Sequence, residues 1–136
     1  MKSRSKSLIR LKKFQVDEKR RQVAQIEMMI ADFERMASEL DQQIEIEHQK
    51  TGISDVAHFA YSTFAKAAQT RRDNLMTSAD DMRGQLEAAQ DALSEAVEDL
   101  KKVELLDQRE AAREMAEDAK REQLEYDEVG RLRHSR

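Results

Sequence analysis

The sequence predicts an all-α fold: two long helices in an antiparallel coiled-coil hairpin, the second helix longer and overhanging the first. Three observations predict it. Val23, Ile26, Ile30, Phe33, Ala37, Leu40 and Ile44 follow one another in steps of three and four, as do Met82, Leu86, Ala89, Leu93, Ala96, Leu100 and Val103. Apolar seams with a period of 3.5 residues are the sequence form of a coiled coil. Charge fills most of the remaining positions, with 38% of the 136 residues Asp, Glu, Lys or Arg and only 4% aromatic. The absence of proline and the presence of only 3 glycines leave little to interrupt a helix.

The first helix is expected from about residue 5 to 50, starting near Ser5 or Ser7. It stops at Thr51-Gly52-Ile53-Ser54-Asp55, the clearest break in the chain. Gly52 suits the left-handed position just past a helix end, and Ser54 or Asp55 suits the N-cap of the next helix. The turn is therefore placed at about 51–55 and the second helix at about 55–131. Gly84 is tolerated within it at a cost of about 1 kcal/mol relative to Ala. Gly130 marks the expected end of order, leaving Arg131–Arg136 as a basic tail, and residues 1–136 form one domain.

Folding the chain about Gly52 sets Ile44 opposite Tyr61, Leu40 opposite Ala65, Ala37 opposite Ala68, Ile30 opposite Leu75 and Ile26 opposite Ala79. Large residues then face small ones, as knobs-into-holes packing requires. Lys12, Lys19 and Arg72 fall on the seam, where their stems can lie along it while the charge stays in water. The register is expected to slip near Glu104–Gln108. Beyond that point Leu105, Ala112, Met115, Ala119, Tyr126 and Val129 form a thinner seam with no first-helix partner. A lone helix with half a seam is frayed or completed by another protein.

The net charge of −4 conceals an asymmetry. Residues 1–21 hold nine Lys and Arg against Asp17 and Glu18, while residues 85–128 hold fifteen acids against six bases. The hairpin sets the basic arm beside Glu87, Asp91, Glu95, Glu98 and Asp99, so it is neutralised at home. Nucleic acid is accordingly not expected as a partner. Each exposed pair contributes under about 1 kcal/mol, but together they favour the antiparallel register.

Enzyme chemistry is not expected. The chain has no Cys, its three histidines lack metal-ligand spacing, and no GxxxxGK[ST], HExxH or GxSxG occurs in it. Catalytic, cofactor and metal residues are all expected to be absent. No apolar run approaches the roughly 20 residues that cross a bilayer, and the basic N-terminus lacks a signal-peptide core, so a cytoplasmic protein is expected.

Function should then lie in what the seams leave over. Half of the six aromatic residues lie in His58-Phe59-Ala60-Tyr61-Ser62-Thr63-Phe64. Tyr61 joins the seam in this register, but Phe59 and Phe64 do not both fit it, so one at least faces solvent as the cap of the hairpin or as a docking patch. Near the N-terminus Leu11 and Phe14 fall opposite the Ile9–Val16 seam, among Arg10, Lys12 and Lys13. Exposed Leu and Phe in a basic helix suit another protein or a membrane surface.

The segments SLIRLKKFQVDEKRRQVAQIE, TGISDVAHFAYSTFAKAA and QLEAAQDALSEAVEDLKKVELLDQRE together resemble the FliJ family, the coiled-coil component of the flagellar type III export apparatus. The resemblance covers essentially the whole chain. It implies a non-enzymatic, stalk-like hairpin similar to the central stalk of rotary ATPases, located in the cytoplasm at the flagellar base and peripheral to the inner membrane. It implies contacts with the export ATPase FliI and the export gate protein FlhA, with some members handling export chaperones. Carried onto this chain, the gate contact falls on Phe64 with Tyr61 and Ala68. The ATPase contact falls on Leu8, Leu11, Lys12, Lys13 and Phe14, with the overhang around Arg109, Met115 and Tyr126. A homo-oligomeric scaffold or a membrane-surface adaptor built from the same hairpin is the alternative, because a heptad seam also permits dimers and four-helix assemblies.

Overall fold

The computed structural model describes residues 2–134, with described side chains from Arg4 to His134. Two helices pack against each other as a helical hairpin: α1, Lys2–Thr51, and the longer α2, Thr63–His134. The chain divides into two compact units, Asp17–Ser94 and Met1–Val16 with Glu95–Arg136.

Unit Asp17–Ser94 contains the loop and most of the buried side chains. On α1 the sheltered positions include Lys19, Val23, Ile26, Ile30, Phe33, Ala37, Leu40 and Ile44. On α2 they include Ala65, Ala68, Arg72, Leu75, Ala79, Met82, Leu86, Ala89 and Leu93. Both sets alternate by three and four without interruption, so the heptad seam itself is as the sequence indicates. Ala37, Ala65, Ala68 and Ala79 are buried. Side chains this small let the helices approach closely and leave room for Ile30 and Phe33. Burying Ile30 alone favours the fold by about 1.5–3 kcal/mol.

The register differs from the expected one. Arg72 Nε donates to Asp41 Oδ1 at 3.0 Å, and Arg83 donates to Glu34 Oε1 at 2.6 Å. Sequence pairing had set Arg72 opposite Phe33, one heptad away from Leu40 and Asp41. Continuing the three-and-four spacing from this contact puts Ala68 level with Ile44, Leu75 with Ala37, Ala79 with Phe33 and Met82 with Ile30. The cause is the connection. α2 begins at Thr63 and not at about 55, and the longer loop slides α2 along α1 by one heptad. A heptad slide preserves the seam, because each residue keeps its face.

Among the described residues the cross-helix ion pairs Arg72–Asp41 and Arg83–Glu34 carry their bases on α2 and their acids on α1. Arg20 and Arg21 pair instead with Asp17 and Glu18, one turn earlier on their own helix.

In the other unit, Val16 is buried and Ile9 and Lys12 are half-buried on α1. On α2 the sheltered positions include Ala96, Leu100 and Val103, with Val97 and Glu104 beside them, followed at the same heptad spacing by Asp107, Glu110 and Glu114. The expected slip is therefore absent. The heptad continues, but carboxylates take the place of aliphatic side chains, and Ser5, Asp107, Glu110, Ala111 and Glu114 border a small hollow of about 30 Å³. α2 runs through Gly130 to His134, past the expected start of a tail; Ser135 and Arg136 lie outside the described residues. Among the described residues no helix is long and apolar enough to cross a membrane.

Candidate partner-binding surfaces

Gly52 ends α1 at φ +71°, where its N–H donates to the His48 carbonyl at 2.9 Å. This is the left-handed cap that a glycine accepts without a Cβ penalty. Thr51 Oγ1 adds a second closure, donating to the Glu47 carbonyl and accepting from the Ile53 N–H. The chain then makes short local turns in place of a helix. Asp55 Oδ1 accepts from the Ala57 N–H at 3.0 Å, so Asp55 organises a turn and is not the cap of α2. His58 Nδ1 accepts from the Ala60 N–H, also at 3.0 Å. The cap of α2 is Ser62, whose Oγ accepts from the Ala65 N–H at 3.2 Å and donates to Glu47 Oε1 at 2.9 Å. One hydroxyl thus starts α2 and ties it to the last turns of α1.

Tyr61 lies beside this cap and outside the helical seam. Its hydroxyl shares a 2.8 Å hydrogen bond with His48 Nε2, and the two rings meet tilted at 5.5 Å. Tyr61 is half-buried and closes the loop end of the unit. Phe59 does the opposite. It is 96% exposed and stacks on His58, the ring centroids 4.7 Å apart. Phe64 and Val56 are also exposed, so both Phe59 and Phe64 face solvent. Ala68 is a correction to the expected gate patch: it is buried in the seam and is closed to a partner while the helices stay packed. Val56 was missed because residues 55–62 read as helix, which would have turned it elsewhere.

The second surface belongs to the unit that holds both chain ends. Leu8, Leu11 and Phe14 are exposed on α1, with Lys13 exposed beside them. Lys12 is sheltered by comparison, half-buried on the seam. On α2, Arg109 is exposed, as are Met115 at 74% and Tyr126 at 76%. Leu106, Leu124, Val129 and Leu132 are exposed too. Leu124 and Leu132 do not belong to the heptad stripe that runs through Met115 and Tyr126, so periodicity could not single them out. Glu122, Glu125, Tyr126 and Val129 border an open hollow of about 440 Å³.

Both surfaces present apolar side chains that the intramolecular seam does not use, which is chemistry suited to binding a partner. Among the described residues no group of three His, Asp or Glu is placed to hold a metal ion. The family described as Flagellar FliJ protein matches residues 1–136. No curated protein and no solved structure matches the chain.

Proposed function

The chain belongs to the FliJ family, a component of flagellar export, and from that premise we propose that it is a non-enzymatic, stalk-like part of the type III export apparatus. It acts in the cytoplasm at the inner membrane, engaging the export ATPase through Leu8, Leu11, Lys13 and Phe14 with Arg109, Met115 and Tyr126. It engages the export gate through Phe64, joined by Phe59 and Val56. The observation that carries this reading is the exposure of Leu11, Phe14, Phe59 and Phe64 beside helices whose seam is already filled.

Such a protein supplies no chemistry. It biases conformations of the ATPase by binding some of them more tightly than others, and a second contact with the gate links the two partners thermodynamically. Export chaperones are further candidates for the same exposed apolar residues.

The test is ATP hydrolysis by the purified export ATPase with and without this protein. Leu11→Glu with Phe14→Glu should abolish stimulation while circular dichroism remains helical; unchanged stimulation would overturn the ATPase-facing assignment. For the gate, Phe59→Ala with Phe64→Ala should weaken binding about tenfold in a titration, the loss of roughly one anchoring contact. Unaltered affinity would return the aromatic loop to a purely structural role.

A further inference from the structure

Beyond Val103, two stripes run along α2 and they differ in chemistry. The sheltered stripe facing α1 turns acidic at Asp107, Glu110 and Glu114. The apolar stripe, Leu105, Ala112, Met115, Ala119, Tyr126 and Val129, stands two residues off it in the same heptad spacing. Two residues turn a helix by about 200°, so this stripe looks away from α1. Its members are exposed, and acids outnumber bases along it: Glu117, Asp118, Glu122, Glu125, Asp127 and Glu128 against Arg113, Lys120 and Arg121. The N-terminal turns of α1 carry the complement. Leu8, Leu11 and Phe14 are exposed among the exposed bases Arg4, Arg10 and Lys13.

A basic apolar face and an acidic apolar face thus occupy one unit, and neither is used by the intramolecular seam. We infer that they serve each other between two copies of this chain. The C-terminal part of each α2 packs its Met115–Tyr126–Val129 stripe on the Leu8–Leu11–Phe14 face of the other copy. A two-fold axis makes the contact twice and closes it, so no open chain of copies forms. The polarity is consistent, because a C-terminal α2 segment entering a copy related by that axis runs parallel to its α1. Met115 to Val129 spans about 21 Å of helix and Leu8 to Phe14 about 9 Å, so each contact is short and the two-fold repeat is needed to hold the pair together. The faces overlap those assigned above to the export ATPase, so the dimer and the ATPase complex exclude each other; this last consequence rests on that assignment, whereas the dimer does not.

Sedimentation equilibrium of the full chain tests the inference without any partner. A reversible dimer is expected at micromolar concentration, its dissociation constant rising about tenfold between 50 and 500 mM NaCl as the charges are screened. Arg10→Glu with Lys13→Glu, and separately Glu122→Lys with Glu125→Lys, should each give helical monomers. Mixing these two variants should restore a dimer, because both reversed faces then meet their complements. A wild-type monomer at every concentration overturns the proposal and leaves the stripe to a different protein. A dimer that survives both reversals, or a mixture that stays monomeric, overturns it equally.

Discussion

The two units are built from the same pair of helices on the same heptad, yet they put it to different uses. In Asp17–Ser94 the seam is aliphatic, alanines let the helices meet, and the loop is tied by Ser62, Glu47, Tyr61 and His48. In the unit holding the chain ends, the seam passes from Leu100 and Val103 to Asp107, Glu110 and Glu114. Its larger apolar side chains, Phe14, Met115 and Tyr126, face outward. Repeat spacing therefore determines where a helix turns its faces, while residue chemistry determines whether a face is satisfied within the chain. One unit is stabilised by its own packing. The other leaves apolar side chains exposed.

The sharpest way to break this contrast is to place a charge in the aliphatic seam. Ala79 is fully buried, and Ala79→Glu should cost about 3–5 kcal/mol, the cost of an uncompensated buried charge, seen as a collapse of the urea midpoint. A loss under about 1 kcal/mol would mean the helices are not packed at this level.

Truncating one aliphatic side chain in each unit sharpens the comparison. Ile30→Ala should cost about 2–4 kcal/mol by leaving a cavity, while Ile9→Ala, at a half-buried site, should cost about 1–2 kcal/mol. Equal losses would erase the difference between the units. Smaller still is the response to filling the acidic stretch. Asp107→Leu with Glu110→Leu should raise stability by about 1 kcal/mol, since these half-buried positions face α1 and carry no apolar packing. Destabilisation would show that the carboxylates make structural contacts of their own.

Much of this was legible in the sequence. The seam residues from Val23 to Ile44 and from Met82 to Val103 could be read directly, because a stripe of period 3.5 must face a partner. Gly52 could be read as the end of α1 because it is the residue that most easily enters the left-handed region. The register could not. A heptad repeat looks the same after a slide of seven, so only the loop length distinguishes one register from the next. That length depends on Asp55, His58 and Ser62 accepting backbone hydrogen bonds across a segment with neither proline nor glycine to announce it. Ala68 already lay on the seam by its spacing, and only the family resemblance set it in the gate patch; its burial agrees with the spacing. The acidic continuation at Asp107, Glu110 and Glu114 was not legible because apolar spacing is what marks a seam, and here the apolar stripe is the outer one. Phe59 and Phe64 could be recognised as residues in excess of the seam, although not that both would be exposed.

The most direct test of the central claim is hydrogen exchange on the full chain, measured before and after addition of the export ATPase. Alone, amides of 17–51 and 63–94 should exchange at least about tenfold more slowly than those of 105–134, since local stability follows buried packing. With the ATPase present, protection should appear at residues 5–16 and 105–130 and leave the loop 52–62 unchanged. Uniform protection in the free protein, or new protection confined to the loop, would contradict the assignment of packing to one unit and partner binding to the other.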